Sequence, residues 1–445
     1  MSRAIVCACA GIICLVVALM RAPAPLRPAL WVFNGLYVLT TALGATILTL
    51  PQVREFWSLM FPSMDERWLV PGGEWGYWYL VWGPMLIVNV AAIKLYPRLR
   101  APAVVAARWL SVRVDVLPAA IAGFAMCGYG FINLGAHGDL SVSLLNSELA
   151  GLYNVNILLR TSMFQTLGTL HFAFIYMGIP AIAIVAFYNT VRRRSFAWGV
   201  LFTSLSVALV LLYLSTLTKS NVLIFGMELT IAAYVLGIVG RRGLVIAALA
   251  GCGLLTVLSA LLSGGSPLEF AGSAYNVIFR EASGIPFYLG VFPRQIPFVG
   301  IDLGLGALGI GPKVPVNMMI YNYMFPHDIW VQGAAPAAAQ FDGYAQAGYP
   351  WALVTMVAMG AWAAFTGQLN RIAHNEVVFS AFIGAVTTTY YLTQGDLVGA
   401  LNVSYGYKWW LAGLLLLLIV QRVLELAVVP RIDAQETVAD SESRN

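Results

Sequence analysis

The stretch AFIYMGIPAIAIVAFYNTVRRRSFAWGVLFTSLSVALVLLYL, residues 173–214, contains two long apolar segments separated by three consecutive arginines. About 20 apolar residues are needed for a helix to cross the hydrocarbon core of a bilayer. Each segment approaches that length, and Arg192, Arg193 and Arg194 form a short basic turn between them. Loops that face the cytoplasm are enriched in Lys and Arg. The stretch therefore predicts a transmembrane hairpin whose turn lies on the inner side.

The rest of the chain has a similar composition. Of its 445 residues, 60% are hydrophobic and 10% are charged, and the mean hydropathy is +0.80. A soluble protein of this length would need far more charge to cover its surface. The net charge of +5 comes from dispersed basic residues and gives no basic face for nucleic acid. All five cysteines fall in apolar segments, where small apolar packing is their expected role.

Eleven segments are long and apolar enough to span a bilayer, so we predict an all-α polytopic bundle of eleven transmembrane helices. The predicted spans are residues 4–20, 29–50, 76–96, 115–134, 168–190, 197–217, 222–240, 243–262, 349–367, 377–394 and 409–428. With the amino terminus outside and the carboxyl terminus inside, sixteen of the 25 Lys and Arg residues lie on the inner side.

This topology divides the chain into four parts. They are transmembrane helices 1–8 in residues 1–262, an external loop in 263–348, transmembrane helices 9–11 in 349–428, and a cytoplasmic tail in 429–445. Loops of such length are usually either functional or disordered. The loop is rich in aromatic residues, which argues against disorder. We therefore expect a partly helical loop that folds back onto the bilayer surface and carries the function.

Cationic residues on the predicted outer side are candidates for binding phosphate. Two of them lie among aromatic residues and prolines in FREASGIPFYLGVFPRQIPFVG. Guanidinium groups bind phosphate oxygens in pairs, and the Lys ammonium acts as a point charge. The alternative is that these side chains reach lipid headgroups or solvate a loop. The four candidates are Arg160, Lys219, Arg280 and Arg294.

A histidine in the predicted external loop is a candidate base. The segment MFPHDIWVQG places His327 beside Asp328, after a proline that fixes the local turn. A histidine oriented by a carboxylate can take the proton from an acceptor hydroxyl. The alternative is a purely structural hydrogen-bonding role for His327.

Further carboxylates occur near and within predicted spans. Asp342 and Tyr344, in AAAQFDGYAQAGYPWALVTM, directly precede the ninth span. They are candidates for the mouth of a sugar site, or they cap and anchor the helix at the interface. Glu228 lies near the middle of a predicted span, where carboxylates are costly and usually functional. A neutral acid hydrogen-bonded to a neighbouring helix is the alternative there.

Motifs that bind nucleotide sugars, phosphate groups or metal ions are absent from the sequence. The predicted inner loops contain no D-x-D, and the chain contains no G-x-x-x-x-G-K phosphate loop. No two histidines have metal-ligand spacing, so we expect no metal and no other cofactor. The predicted inner loops contain too few residues to form a binding site for a nucleotide sugar. A transferase of this kind would use a lipid-borne donor and act on the outer side.

Several features occur together from about Tyr153 to the last span. Arg160 precedes a span that ends in a basic inner loop, and Lys219 opens a helix in LTKSNVLIFGMELTIAAYVL. The long external loop carries arginines and a histidine, and DGYAQAGYPWALV enters the following span. In this arrangement the chain resembles the bacterial oligosaccharide repeat-unit (O-antigen, Wzy-type) polymerases.

The resemblance departs from the family pattern in the last two motifs. The family often shows His-Asn and a Glu there. Here the corresponding residues are His327-Asp328, and Gln340 with Asp342.

The resemblance implies an activity and a location. The enzyme would transfer a glycan from polyprenyl pyrophosphate to the next lipid-linked repeat unit, which lengthens an O-antigen, capsule or exopolysaccharide. It would lie in the bacterial inner membrane with its active site facing the periplasm. Its partners would be the lipid-linked oligosaccharide, membrane lipid, a flippase and a chain-length regulator, without nucleic acid.

The resemblance also implies roles for the candidate residues. The cations would neutralise charge on the departing pyrophosphate. These cations are Arg160, Lys219, Arg280 and Arg294. The general base would be His327 or Asp342. The residues that bind substrate would be Asp328, Gln340 and Tyr344.

Two alternative functions stay open from the sequence. One is a metal-dependent glycosyltransferase that uses polyprenyl-phosphate sugars, with Asp65 and Glu66 in SMDERW as the metal ligands. The other is a transporter or flippase of lipid-linked sugars. Transporters usually show repeated halves and several polar sites inside the membrane. The sequence shows neither repeated halves nor a second carboxylate at mid-span.

Overall fold

The fold confirms the predicted all-α class. No β-strand occurs among the residues that the computed structural model describes. These residues are 2–50, 52, 53, 55, 75–137, 166–216, 219–261, 282–301, 316–326, 335, 337–402 and 406–442.

The helices are numbered here in chain order. They are α1 Ser2–Arg21, α2 Ala24–Ile47, α3 Trp75–Leu95, α4 Arg100–Leu110, α5 Val116–Ala136, α6 Thr166–Arg193, α7 Phe196–Ser215, α8 Lys219–Val235, α9 Arg241–Leu261, α10 Ile285–Val291, α11 Val316–Met324, α12 Ala339–Ile372, α13 Glu376–Tyr391, α14 Leu397–Asn402 and α15 Tyr407–Glu442. Single π turns interrupt α2 at Val38–Ala42 and α6 at Phe174–Gly178.

Eight helical stretches in the described part of the chain are long and apolar enough to cross a membrane. They are α1, α2, α3, α5, α6, α7, α12, and Leu397–Ala427, which contains α14 and most of the apolar part of α15. The remaining three predicted spans coincide with α8, α9 and α13, which are not among the eight. The protein is therefore a multi-pass bundle by helix length and composition, and the number eleven stays a prediction.

Exposed apolar side chains cover the outside of the bundle. On α1, Val6, Ile13 and Met20 recur every seven residues and are all exposed. Residues seven apart lie on one face of a helix. A face of this kind suits contact with lipid tails, because hydrocarbon is the solvent for a transmembrane segment.

The interior of the bundle forms two main packed regions. One lies among α5, α6, α7, α8, α13 and α15, and the other among α1, α2, α3, α10, α11 and α12. Trp362 and Tyr391 pack against both regions. The candidate residues near Asp342 belong to the second region.

Helix α12 packs closely along α3. A Cβ atom at Gly360 would lie 2.7 Å from the carbonyl oxygen of Val88, so only glycine permits this approach. Small residues at such positions bring transmembrane helices together. Helix α3 is also joined to α2 by a reciprocal amide pair, in which Asn34 and Asn89 donate to each other at 2.9 and 2.8 Å.

Contacts at one end of the bundle join segments that the sequence places on the inner side. These contacts are Asn370 Nδ2 to Pro25 O at 2.8 Å, Gln368 Nε2 to Tyr96 O at 2.6 Å, and Arg193 Nη2 to Glu376 Oε1 at 2.8 Å. At the other end, Asn133 Nδ2 donates to Leu167 O at 3.0 Å, and Ala339 N donates to Leu392 O at 3.1 Å. This grouping agrees with the predicted alternation of the spans. Which end faces the cytoplasm stays a prediction.

The described parts of the predicted external loop are helical in places and well packed. Helices α10 and α11 and the first turns of α12 bury aromatic residues such as Phe287 and Phe341 in the same packed region as α2 and α3. Helix α12 begins ten residues before the predicted ninth span. Its backbone is bent at Ala347 and Gly348, directly before residue 349, where the sequence places the start of that span.

Candidate functional site

The first two turns of α12 carry the carboxylate that the sequence proposes as a base. Asp342 is buried, with only 7% of its surface exposed. Its Oδ2 accepts a hydrogen bond from Gln346 Nε2 at 3.1 Å, one helical turn later. The Gln346 Oε1 accepts in turn from Trp351 Nε1 at 3.0 Å. The carboxylate is therefore held by a neutral amide whose orientation is set by an indole, which fixes its position within the site.

Tyr288 lies near two carboxylates that come from other segments, those of Asp342 and Asp396. Burial raises the pKa of the Tyr288 phenol well above its usual value, and the nearby carboxylates of Asp342 and Asp396 raise this pKa further. Tyr288 lies on α10, and Asp396 follows α13. Three separate segments thus bring two carboxylates and a protonated phenol into one region.

The segment that carries Arg294 runs beside this part of α12. Tyr344 Oη donates to Phe292 O at 3.1 Å, and the rings of Tyr344 and Phe298 lie 5.8 Å apart. Val299 N donates to Ala345 O at 3.2 Å. These contacts anchor the chain on both sides of Arg294. The exposed guanidinium-bearing turn is therefore held next to the helix of Asp342.

The bend in α12 makes room for this segment. Gly348 has φ of +75°, a conformation that strongly favours glycine. A Cβ atom there would lie 3.1 Å from the Phe298 ring. Glycine at this position lets the two segments pack side by side.

Gln340 has a clear structural role. Pro84 lies inside α3 and has no N–H, so the carbonyl oxygen of Leu80 loses its helical donor. Gln340 Nε2 donates to this oxygen at 3.1 Å and also lies 2.7 Å from Tyr37 Oη. Tyr37 Oη lies 2.8 Å from Val81 O. Polar side chains commonly satisfy backbone groups that a proline frees in a transmembrane helix.

The amide oxygen of Gln340 differs from the nitrogen. This atom, Oε1, is buried and has no hydrogen-bond partner among the described residues. The nitrogen of Gln340 therefore supports α3, and its oxygen is a buried acceptor without a partner among the described residues.

The structure brings together only part of the predicted site. Asp342, Gln340 and Tyr344 lie within two turns of α12, and the segment of Arg294 packs against them. Lys219 is the first residue of α8, and only its backbone is described. The other candidates lie outside the described residues: Arg160, Arg280, His327, Asp328, Asp65 and Glu66.

Asp342 and Tyr344 do not cap α12, which was the alternative for these two residues. The N-cap is Ala338, and Asp342 lies in the first turn, with its side chain bonded to Gln346. A carboxylate in the first turn is favoured by the helix dipole.

Two residues of the site were not among the sequence candidates. Tyr288 appears in the sequence only as one of many aromatic residues of the loop. Asp396, in TQGDLVG after the tenth predicted span, is half-buried and accepts a hydrogen bond from Gly399 N at the start of α14. A polar and glycine-containing stretch at a predicted outer span end is the signal that could have pointed to it.

The described residues contain no group of three or more His, Cys, Asp and Glu side chains placed to hold a metal ion. The two carboxylates near Tyr288 are hydrogen-bond acceptors, Asp342 from Gln346 Nε2 and Asp396 from Gly399 N. A carboxylate in such a place can accept a proton from a hydroxyl group or orient it.

No protein-family model matches the chain, and no curated protein or solved structure is significantly similar to it. The function must therefore be inferred from the residues themselves.

Proposed function

We propose that the protein is a membrane glycosyltransferase that polymerises oligosaccharide repeat units linked to polyprenyl pyrophosphate. The observation that carries this proposal is that the segment of Arg294 packs against the helix turns that hold the buried Asp342 carboxylate. A base and a cation in adjacent segments are the two groups that transfer from a pyrophosphate-linked sugar requires.

Each group has a defined part in the proposed reaction. The acceptor hydroxyl oxygen attacks the anomeric carbon of the donor glycan, and the bond between that carbon and the pyrophosphate oxygen breaks. Asp342 takes the hydroxyl proton. Arg294 stabilises the charge that stays on the departing polyprenyl pyrophosphate. The oxygen of Gln340 and the phenol of Tyr288 orient sugar hydroxyls.

The proposed location follows from the distribution of basic residues. The Asp342 end of the bundle lies opposite the end that carries Arg192, Arg193 and Arg194. Basic loops favour the cytoplasm, so the site would face the periplasm of a bacterial inner membrane. A periplasmic reporter fused at residue 300 should be active there. A cytoplasmic signal from this fusion would contradict the proposed side.

A reconstitution with one substrate tests the activity. Purified protein in detergent receives only repeat units linked to polyprenyl pyrophosphate, and the products are separated by length. A ladder of longer glycans is expected. Detergent removes the two compartments, so a flippase without transferase activity would produce no ladder. Folded protein that yields no ladder would refute the proposal and favour transport.

A chelator separates the two transferase mechanisms. If cationic side chains stabilise the leaving group, EDTA should leave the rate of ladder formation unchanged. Loss of the ladder with EDTA, and its return with a divalent ion, would instead favour a metal held by Asp65 and Glu66.

A further inference from the structure

A second carboxyl group is buried far along the chain from the proposed reaction site. Glu228 lies in the middle of α8, and only 1% of its surface is exposed. Its neighbours one turn away on the same face, Phe225 and Ala232, are also buried. A carboxylate in such a setting loses most of its hydration, which is costly inside a membrane protein.

The hydrogen bonds around Glu228 depend on where one proton lies. Thr387 Oγ1 is 2.9 Å from Glu228 Oε1 and 3.2 Å from the Ile383 carbonyl oxygen. The Thr387 hydroxyl has a single proton to donate. If Glu228 is ionised, that proton satisfies either the carboxylate or the carbonyl, but not both.

A protonated Glu228 removes this conflict. The acid donates its proton to Thr387 Oγ1, and the hydroxyl of Thr387 then donates to Ile383 O, as Thr residues in helices commonly do. The second carboxyl oxygen, Oε2, has no hydrogen-bond partner among the described residues. A neutral carbonyl-like oxygen tolerates that position far better than a charged one.

No cation among the described residues forms an ion pair with this carboxyl. The ion pairs between described residues join Arg193 to Glu376 and Arg422 to Glu425, and neither involves Glu228. The phenol of Tyr213, which lies close to Glu228, donates its own proton to Ile175 O at 3.1 Å. A buried carboxylate without a paired charge is strongly unfavourable.

We propose that Glu228 is a proton-binding site inside the helical bundle. Its carboxyl group holds a proton at neutral pH and donates a hydrogen bond to Thr387, which joins α8 to α13. Helix α13 also supports the candidate site, because the carbonyl oxygen of Leu392 just after it accepts from Ala339 N at the start of α12. The proton-binding site does not depend on the proposed glycosyl transfer.

Infrared spectroscopy of the full-length protein in detergent tests this proposal directly. The difference spectrum between wild type and Glu228→Gln at neutral pH should contain the carbonyl band of a protonated carboxylic acid. The amide of the variant can still donate to Thr387, so it should fold like the wild type. Carboxylate bands in place of the acid band would overturn the proposal.

Labelling with a hydrophobic carbodiimide gives a second readout. This reagent adds the O–H of a carboxylic acid across one C=N bond: the oxygen bonds to the central carbon, and the proton passes to nitrogen. Rearrangement to an N-acylurea leaves a mass tag. We expect the tag on Glu228 and none on Glu376, whose carboxylate is paired with Arg193.

The infrared band decides the result, and the tag locates the acid. The acid band supports the proton-binding site whether or not Glu228 is tagged, and carboxylate bands in its place contradict it. Glu228→Gln should carry no tag at this position.

Discussion

At one end of the bundle, Glu376 accepts hydrogen bonds from Arg193 Nη2 at 2.8 Å and from Val114 N at 2.9 Å, whereas at the other end Asp342 accepts one from the neutral amide of Gln346 at 3.1 Å. Both carboxylates are buried and both belong to helices that cross the bundle. The charged donor at Glu376 joins α6 to α13 and to the chain before α5. Glu376 therefore joins parts of the fold, whereas we propose a chemical role for Asp342.

The strength of its charged donor explains the structural role of Glu376. Hydrogen bonds from a guanidinium to a carboxylate are roughly twice as strong as those between neutral groups. Such a bond stabilises a junction of helices. The role proposed for Asp342 rests instead on its burial in the helix against which the segment of Arg294 packs.

Among the cationic residues, substitution of Arg294 should have the largest effect on the rate of glycan polymerisation. Arg294→Ala should lower the rate of glycan polymerisation by roughly 10²–10³, as loss of a group that stabilises developing negative charge does. Arg294→Lys should recover only part of the rate, because Lys cannot bind two phosphate oxygens at once. Reconstituted ladder formation measures both rates.

A matched control for Arg294 lies at the other end of the bundle. Arg108 is also an exposed arginine, on α4. Arg108→Ala should polymerise at the wild-type rate. Equal rates for the two alanine variants would show that Arg294 is only an interfacial residue and does not take part in the reaction.

Removal of the charge at Glu376 should act on stability. Glu376→Gln should lower the free energy of unfolding by about 1–3 kcal/mol, because it weakens a charged hydrogen bond and leaves Arg193 without its counter-charge. The side chain of Arg193 is 27% exposed, and solvent reduces the loss. Thermal unfolding in detergent measures it. An unchanged midpoint together with a lost ladder would reverse the roles given to the two ends.

A smaller effect is expected at Gln340. Gln340→Leu removes the donor to Leu80 O and the contact with Tyr37, so it should cost about 1–2 kcal/mol of stability. Substrate binding through Oε1 predicts a higher KM in addition. Full stability with a higher KM would assign Gln340 to substrate alone, and lower stability with an unchanged KM would assign it to the support of α3.

The sequence predicted the helices better than the contacts between them. Span positions follow from the thickness of the bilayer, which demands long apolar segments. The predicted ninth span begins at residue 349, directly after the bend at Gly348, because the continuous apolar sequence begins at this bend. The earlier turns of α12 contain Gln340 and Asp342, so their polarity masked a buried helix.

Which residues belong to the site depends on contacts between segments that are distant in the sequence. Tyr288 and Asp396 are separated by more than one hundred residues, and no local pattern relates them. Pro84 signals a freed carbonyl in α3, but its partner Gln340 comes from α12. Hydropathy predicts where helices are, whereas such pairings follow from how the helices pack.

The central claim is that the buried carboxylate of Asp342 accepts the proton of the attacking hydroxyl. The most direct test is the rate of ladder formation by purified Asp342→Asn, measured per folded molecule, beside His327→Ala. The control is Asp115→Asn, which changes an exposed carboxylate directly before α5. We expect Asp342→Asn to fold normally and to polymerise more slowly by a factor on the order of 10²–10⁴, as loss of a general base does. A wild-type ladder from folded Asp342→Asn would contradict the account, and a loss confined to His327→Ala would move the base to the histidine.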